Sequence, residues 1–185
     1  LQEKRQFIQV ENVNNEHNYE EIKIRRYNDK TRGFVKIQDG CDNFCSYCTI
    51  PFARGRVRSR LPEDVISEIS DLVSQGMKEI ILTGINTASY GKDFENYNFA
   101  DLLRDIIKKV PHLYHLRISS IEVTEITDDV LNVISNNSDK FCMHLHIPLQ
   151  GGTDRILKLM NRKYDLNYYR EKITKIRALF PNINI

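Results

Sequence analysis

Apolar residues in this chain recur with two periods, and the two periods take turns. "FVKI" (34–37) reads as a short buried strand. "PEDVISEISDLVSQG" (62–76) carries Val65, Ile69, Leu72 and Val73 at helical spacing, with Pro62 suited to a first turn and Gly76 to an end. "EIILT" (79–83) is a strand again, and "FADLLRDIIKKV" (99–110) a helix halted by Pro111. "HLRIS" (115–119) is a strand, and "TDDVLNVIS" (127–135) a helix capped by Thr127. "HLHIPL" (144–149) is a fourth strand. "TDRILKLM" (153–160) starts a short helix at Thr153, and "DLNYYREKITKIRALF" (165–180) a longer one with Tyr169, Ile173, Ile176 and Phe180 on one stripe. "NINI" (182–185) opens a fifth strand.

Four strand–helix units in succession predict an α/β fold with a parallel sheet and right-handed crossovers. They are too few for a closed eight-stranded barrel of ~250 residues. The expectation is an open, partial TIM-like β/α barrel, cut after about four units. Residues 1–32 are polar and irregular. "QFIQV" and "EIKIRR" there could form short strands, and the segment reads as a lead-in or linker from a further N-terminal domain; 33–185 reads as the core, incomplete at its C-terminal end. In such folds chemistry collects at the C-terminal ends of the strands. The segments expected there are "QDGCDNFCSYC", "GINTASYG", "SIEVTE" and "QGG".

Composition adds one asymmetry. The chain has 185 residues, is 41% hydrophobic and 28% charged, and carries a formal +2. No apolar run approaches the ~20 residues that span a bilayer, so no membrane role is expected. Residues 23 to 60 hold ten Lys or Arg against three Asp, so +7 sits there and −5 elsewhere. A basic block suits an anionic partner. "RGRVRSR" sets Arg54, Arg56, Arg58 and Arg60 at alternate positions, which on an extended segment would point one way toward phosphates.

Inside that block stand Cys41, Cys45 and Cys48, spaced C-x3-C-x2-C. The fourth cysteine, Cys142, lies in "DKFCMHLHI" and reads as a small packing residue. Clustered thiols without a secretory signal favour metal over disulfides. Three readings follow: zinc completed by a histidine or by Cys142, thiols of a core, or an iron–sulfur cluster. Structural zinc sites pair C-x2-C with a second pair, which is absent. Asp39, Gly40, Asp42, Asn43 and Ser46 are loop residues rather than core. An iron–sulfur cluster usually takes four thiolates, so three leave one iron open. His144 and His146 are expected on opposite faces of the fourth strand, which argues against a paired metal site.

C-x3-C-x-(aromatic)-C, with Tyr47 as the aromatic, resembles the signature of the radical S-adenosylmethionine enzymes. "KIQDGCDNFCSYCTIPFARGRVRSR", "EIILTGINTASYGKD", "RISSIEVTEITDDVL" and "HLHIPLQGGTDRILKLMNRKY" are similar to the methylthiotransferase branch, most of all to bacterial enzymes acting on N6-threonylcarbamoyladenosine in tRNA. Enzymes of isopentenyladenosine tRNA, or of a ribosomal-protein aspartate, are the near alternatives; a zinc-bearing nucleic-acid module is the alternative of another class. The resemblance implies a cytoplasmic enzyme whose Cys41, Cys45 and Cys48 hold a [4Fe-4S] cluster, with S-adenosylmethionine on the open iron. It implies electrons from a donor such as flavodoxin or ferredoxin, a 5′-deoxyadenosyl radical that takes hydrogen from C2 of the modified adenine, and sulfur from an auxiliary [4Fe-4S] cluster in a further domain. It places Tyr47, Gly84, Asn86, Ser120, Glu122 and Gln150 around the cofactor. Gly151 departs from the Gln-Ser-Gly usual in the family.

Overall fold

The computed structural model describes residues 12–13, 16, 18–20 and 31–185. The strands expected at 6–10 and 21–26 lie outside the described residues.

Strand β1 (Arg32–Asp39) forms the centre of the described sheet. It pairs parallel with β3 (Glu79–Gly84), in register Val35 to Leu82, and antiparallel with the two-residue β2 (Arg58–Ser59). β3 pairs parallel with β4 (His115–Ile118), and the order is β2-β1-β3-β4. Helix α1 (Ile50–Arg54) and β2 both lie in the stretch read as loop and arginine row.

The expected fourth and fifth strands survive only as single parallel bridges: Leu116 to Phe141, Ser120 to His146, and His144 to Asn184. The reason lies in where the carbonyls go. The Tyr169 hydroxyl donates to the Ile147 carbonyl at 2.7 Å, and that of Tyr164 to the Leu149 carbonyl at 2.8 Å. Pro148 has no N–H to give. Side chains thus satisfy the 147–149 carbonyls in place of a ladder. The sheet therefore curls on as an open half-barrel.

Four helices shield the outer face: α2 (Pro62–Ser74), α3 (Phe99–Lys109), α4 (Asp128–Asn136) and α6 (Leu166–Leu179), with the short α5 (Asp154–Leu159) between the last two. Their starts follow the local chemistry. Asn98 and Asp101 form a reciprocal capping box on α3, and Thr127, Thr153 and Asp165 each accept a backbone N–H at the next three helices. Val35, Ile37, Ile80, Leu82, Leu116 and Ile118 point outward to Val65, Ile69, Leu72, Leu102, Leu103, Ile106 and Leu131, all fully or nearly fully buried. Each such side chain contributes about 1.5–3 kcal/mol by leaving water. On the inner face Phe34, Lys36, Thr83 and Arg117 alternate with these and stay partly open.

Candidate functional site

The cysteine loop hangs from the end of β1, and three devices shape it. Gln38 is fully buried; its Nε2 donates to the carbonyls of Asp39 and Gly40 at 2.6 and 2.7 Å, and its Oε1 accepts from the Asn86 N–H at 2.9 Å. Gly40 has φ of 73°, and a Cβ there would stand 1.8 Å from the Arg56 carbonyl oxygen, so no other residue fits. The Cys41 N–H closes onto the Gly55 carbonyl at 3.1 Å.

A further clamp comes from far along the chain. Ser46 donates from Oγ to the Leu159 carbonyl at 2.6 Å and from its N–H to the Met160 carbonyl at 3.2 Å. Asn161 Nδ2 reaches the Phe44 carbonyl at 2.7 Å. Arg162, its side chain 5% exposed, donates from Nη1 to Cys45 Sγ at 3.1 Å and to the Tyr47 hydroxyl at 3.3 Å, and pairs through Nη2 with Glu122. Burial works against the Arg162 charge, but the Glu122 carboxylate outweighs it and holds the guanidinium protonated. The end of α5 thus clamps the loop. Sequence reasoning missed it, although Asn161, in the left-handed region with φ of 55°, is a residue type that commonly ends helices there.

Cys41, Cys45 and Cys48 are unbridged and half-exposed. Burial pushes the Cys41 thiol up, and Cys45 and Cys48 lie near enough to push it further. Yet no three His, Cys, Asp or Glu side chains among the described residues converge on one ion-sized point. A single zinc would need its ligands at about 2.3 Å from one centre. Three free thiols on one loop are the donor type that an iron–sulfur cluster takes. Arg162 Nε is buried with no hydrogen-bond partner among the described residues. The donor set, thiols with a guanidinium against one of them, fits a cluster with a carboxylate-bearing cofactor beside it.

The other expected cofactor residues divide. Tyr47 and Glu122 join the cysteines through Arg162. Burial lifts the Tyr47 phenol, with Arg162 opposing and Cys45 adding. Ser120 Oγ meets His146 Nδ1 at 2.7 Å, across a bridge of the sheet. Gly84 is accounted for by packing, since a Cβ there would meet Gln38 Oε1 at 2.9 Å. Asn86 is buried and commits its Nδ2 to Ser89 Oγ at 2.6 Å, bracing the loop after β3. Gln150 is exposed, with φ of 68°. A Cβ on Gly151 would press the Ile156 methyl at 2.8 Å, so this chain's glycine goes with Ile156 on α5.

Two expectations need correction. The arginine row does not point one way. Arg54 and Arg56 are more than half exposed, near Asp39 and Asp42 at 3.8 and 3.3 Å. Arg58 folds its Nη1 onto the Arg54 carbonyl at 2.8 Å. Arg60 is 1% exposed, pairs with buried Glu68, and is out of reach of any phosphate. The positive φ of Gly55 turns the chain between Arg54 and Arg56 and destroys the simple alternation. His144 and His146, in turn, share the inner face, because residues two apart on a strand point the same way; Leu145 and Ile147 take the buried side. A cavity of about 310 Å³ opens between the N-terminal ends of α3 and α4, but no cysteine lines it and its Lys92 is paired with Glu125.

Residues 35–185 match the model of the radical SAM superfamily. The chain belongs to that superfamily. Membership implies S-adenosylmethionine and a [4Fe-4S] cluster, for which Cys41, Cys45 and Cys48 are the thiolates the site offers. The radical SAM chain is 45% identical to the threonylcarbamoyladenosine tRNA methylthiotransferase of Bacillus subtilis (strain 168), over 95% of this chain and 39% of that protein. It is 44% identical to the tRNA-2-methylthio-N(6)-dimethylallyladenosine synthase of Desulforamulus reducens, over 90% of this chain and 36% of that one. A threonylcarbamoyladenosine tRNA methylthiotransferase of Thermotoga maritima is 41% identical, over 90% of this chain and 38% of that protein. The chain thus spans less than half the length of these curated relatives. In fold it is similar to the radical S-adenosylmethionine methyltransferase TsrM of Kitasatospora setae, with TM-score 0.62 at 16% identity over 79% of this chain and 26% of that one. The cobalamin-dependent radical enzyme OxsB gives TM-score 0.64 at 15% identity, over 82% of this chain and 22% of that chain. No described helix is long and apolar enough to cross a membrane.

Proposed function

We propose that this chain is the radical-generating part of a tRNA methylthiotransferase that acts at C2 of N6-threonylcarbamoyladenosine. The supporting observation is the thiol trio at the mouth of a half-barrel, with Arg162 donating to Cys45, in a chain 45% identical to an enzyme of that name. In this reading Cys41, Cys45 and Cys48 carry the [4Fe-4S] cluster, which with S-adenosylmethionine supplies the radical that takes hydrogen from C2. Arg162, cationic and set against Cys45, suits the cofactor's carboxylate by its charge; Glu122 holds the guanidinium in place. Tyr47, Ser120 and Gln150 line the same mouth, and Gly84 and Asn86 shape the loop behind it. Arg54 and Arg56 are open to tRNA phosphates. The reaction requires a reductant such as flavodoxin or ferredoxin, and an auxiliary [4Fe-4S] cluster outside these residues as the sulfur source.

The 44% identity to dimethylallyladenosine synthases supports a second reading, with the same chemistry on a different N6 substituent. Nucleoside mass spectrometry of tRNA from a strain lacking the gene separates the two. Loss of the methylthio form of threonylcarbamoyladenosine is expected. Loss of the dimethylallyl counterpart would move the assignment to the second reading, and unchanged tRNA would overturn both.

A further inference from the structure

Beside the cysteine loop lies a surface to which the proposed chemistry gives no role. Phe52 on α1 is 68% exposed, the most open large apolar side chain among the described residues. It is held at a fixed place: its neighbour Pro51 is buried, and its N–H is tied to the Thr49 carbonyl at 3.0 Å. Its ring meets that of Phe44 edge-on, centroids 5.8 Å apart at 79°. The Arg56 guanidinium lies over Phe44 at 5.1 Å from the centroid. Arg54 and Arg56, both more than half exposed, follow Phe52 two and four positions on.

The chain keeps this ring in water at a cost, since an exposed Phe gains none of the roughly 1.5–3 kcal/mol that burial returns. Its neighbours narrow what could cover it. An apolar protein face would have to desolvate two half-exposed ion pairs, Arg54 with Asp39 and Arg56 with Asp42, and give them nothing in return. A single-stranded polyanion satisfies every part: phosphates meet the guanidiniums, and a base, which always offers a π-face, covers the ring. The local excess of positive charge over residues 23 to 60 favours the same partner.

We propose that Phe52, buttressed by Phe44 and Arg56, stacks an unpaired base of the tRNA. This rests on the tRNA reading above and adds a contact made through base faces rather than phosphates. The two contact types leave different marks. Stacking carries no released counterion, so its loss lowers affinity without changing the salt dependence.

The test is equilibrium binding of substrate tRNA, before its methylthiolation, to the full-length enzyme over a range of KCl. Phe52→Ala is expected to weaken binding about 5- to 100-fold, with an unchanged log–log salt slope. Phe52→Trp is expected to retain affinity. It also introduces the first tryptophan of these 185 residues, whose fluorescence tRNA should quench. Wild-type affinity in Phe52→Ala overturns the stacking contact. So does quenching of Phe52→Trp by a flavodoxin but not by tRNA, which would give the surface to a protein. Failure of the wild-type enzyme to bind tRNA at all would instead sink the proposed function.

Discussion

The two ends of the half-barrel are built on opposite terms. At the N-terminal end of the strands, Glu79 lies between Arg117 and Arg32, at 2.5 and 3.4 Å, the three residues standing on three adjacent strands. The carboxylate and both guanidiniums there are paired. At the C-terminal end the described chain gathers its non-glycine residues of positive φ: Phe44, Gln150 and Asn161. The half-exposed thiols lie at the same end, as does the Nε of Arg162, which has no hydrogen-bond partner among the described residues. Left-handed backbone in a non-glycine residue costs on the order of 1 kcal/mol and persists only where surrounding bonds enforce it. The floor is settled by its own side chains, while the mouth keeps strained backbone and half-exposed thiols that a ligand can use.

The sharpest break of this contrast is at the thiols. Cys45→Ala in the full-length protein should lose the iron of the cluster that these thiols hold after anaerobic reconstitution, whereas Cys142→Ala, near the floor, should keep it. Iron per chain is the measurement, and full loading of Cys45→Ala would sink the ligand assignment.

Next in size are the two ion pairs. Arg162→Met leaves Glu122, its side chain 12% exposed, as a buried carboxylate without its cation. We expect a loss of about 3 kcal/mol in urea unfolding of the cluster-free protein. Arg117→Met leaves Glu79 with Arg32 and should cost about 1–2 kcal/mol. Equal losses would mean that the mouth and the floor are held alike.

Acid should reach the floor through Glu79. Burial raises its carboxyl, but the Arg117 hydrogen bond and the charges of Arg117 and Arg32 outweigh that and hold it below the usual range. A carboxylate depressed in the folded state adds stability above its unfolded value of about 4.3 and loses it as pH falls through the folded value. Glu79→Gln should therefore be less stable than wild type at neutral pH, with a shallower acid limb. Parallel acid limbs in urea midpoints from pH 7 to 3 would refute this.

The smallest effect concerns tRNA affinity. Arg56→Gln should flatten the salt dependence of tRNA binding by about one log–log unit. Arg58→Gln should leave it unchanged, because Arg58 already serves the Arg54 carbonyl. Equal slopes for the two variants would restore a uniform arginine row.

Much of this molecule was written in local patterns. The 3.6-residue stripes of α2, α3, α4 and α6, the caps at Asn98, Thr127, Thr153 and Asp165, and the apolar runs of β1, β3 and β4 depend on neighbours within a few positions. So does the C-x3-C-x2-C spacing. The sequence by itself therefore determined the strand–helix alternation and the place of the thiols after the first strand.

Contacts between residues far apart were decided only in three dimensions. Arg162 reaches Cys45 across 117 positions, and Glu122 closes the pair from a third segment. No periodicity carries such a relation, because it depends on how the end of α5 packs against the loop after β1. The arginine row failed for the same reason. Four like residues at alternate positions look equivalent on paper, yet one glycine turn and one buried glutamate divide them. The fourth strand lost its ladder because tyrosines from α6 and the turn before it took its carbonyls. Each of these outcomes turned on which distant group satisfied a buried polar atom, and that is fixed by tertiary packing.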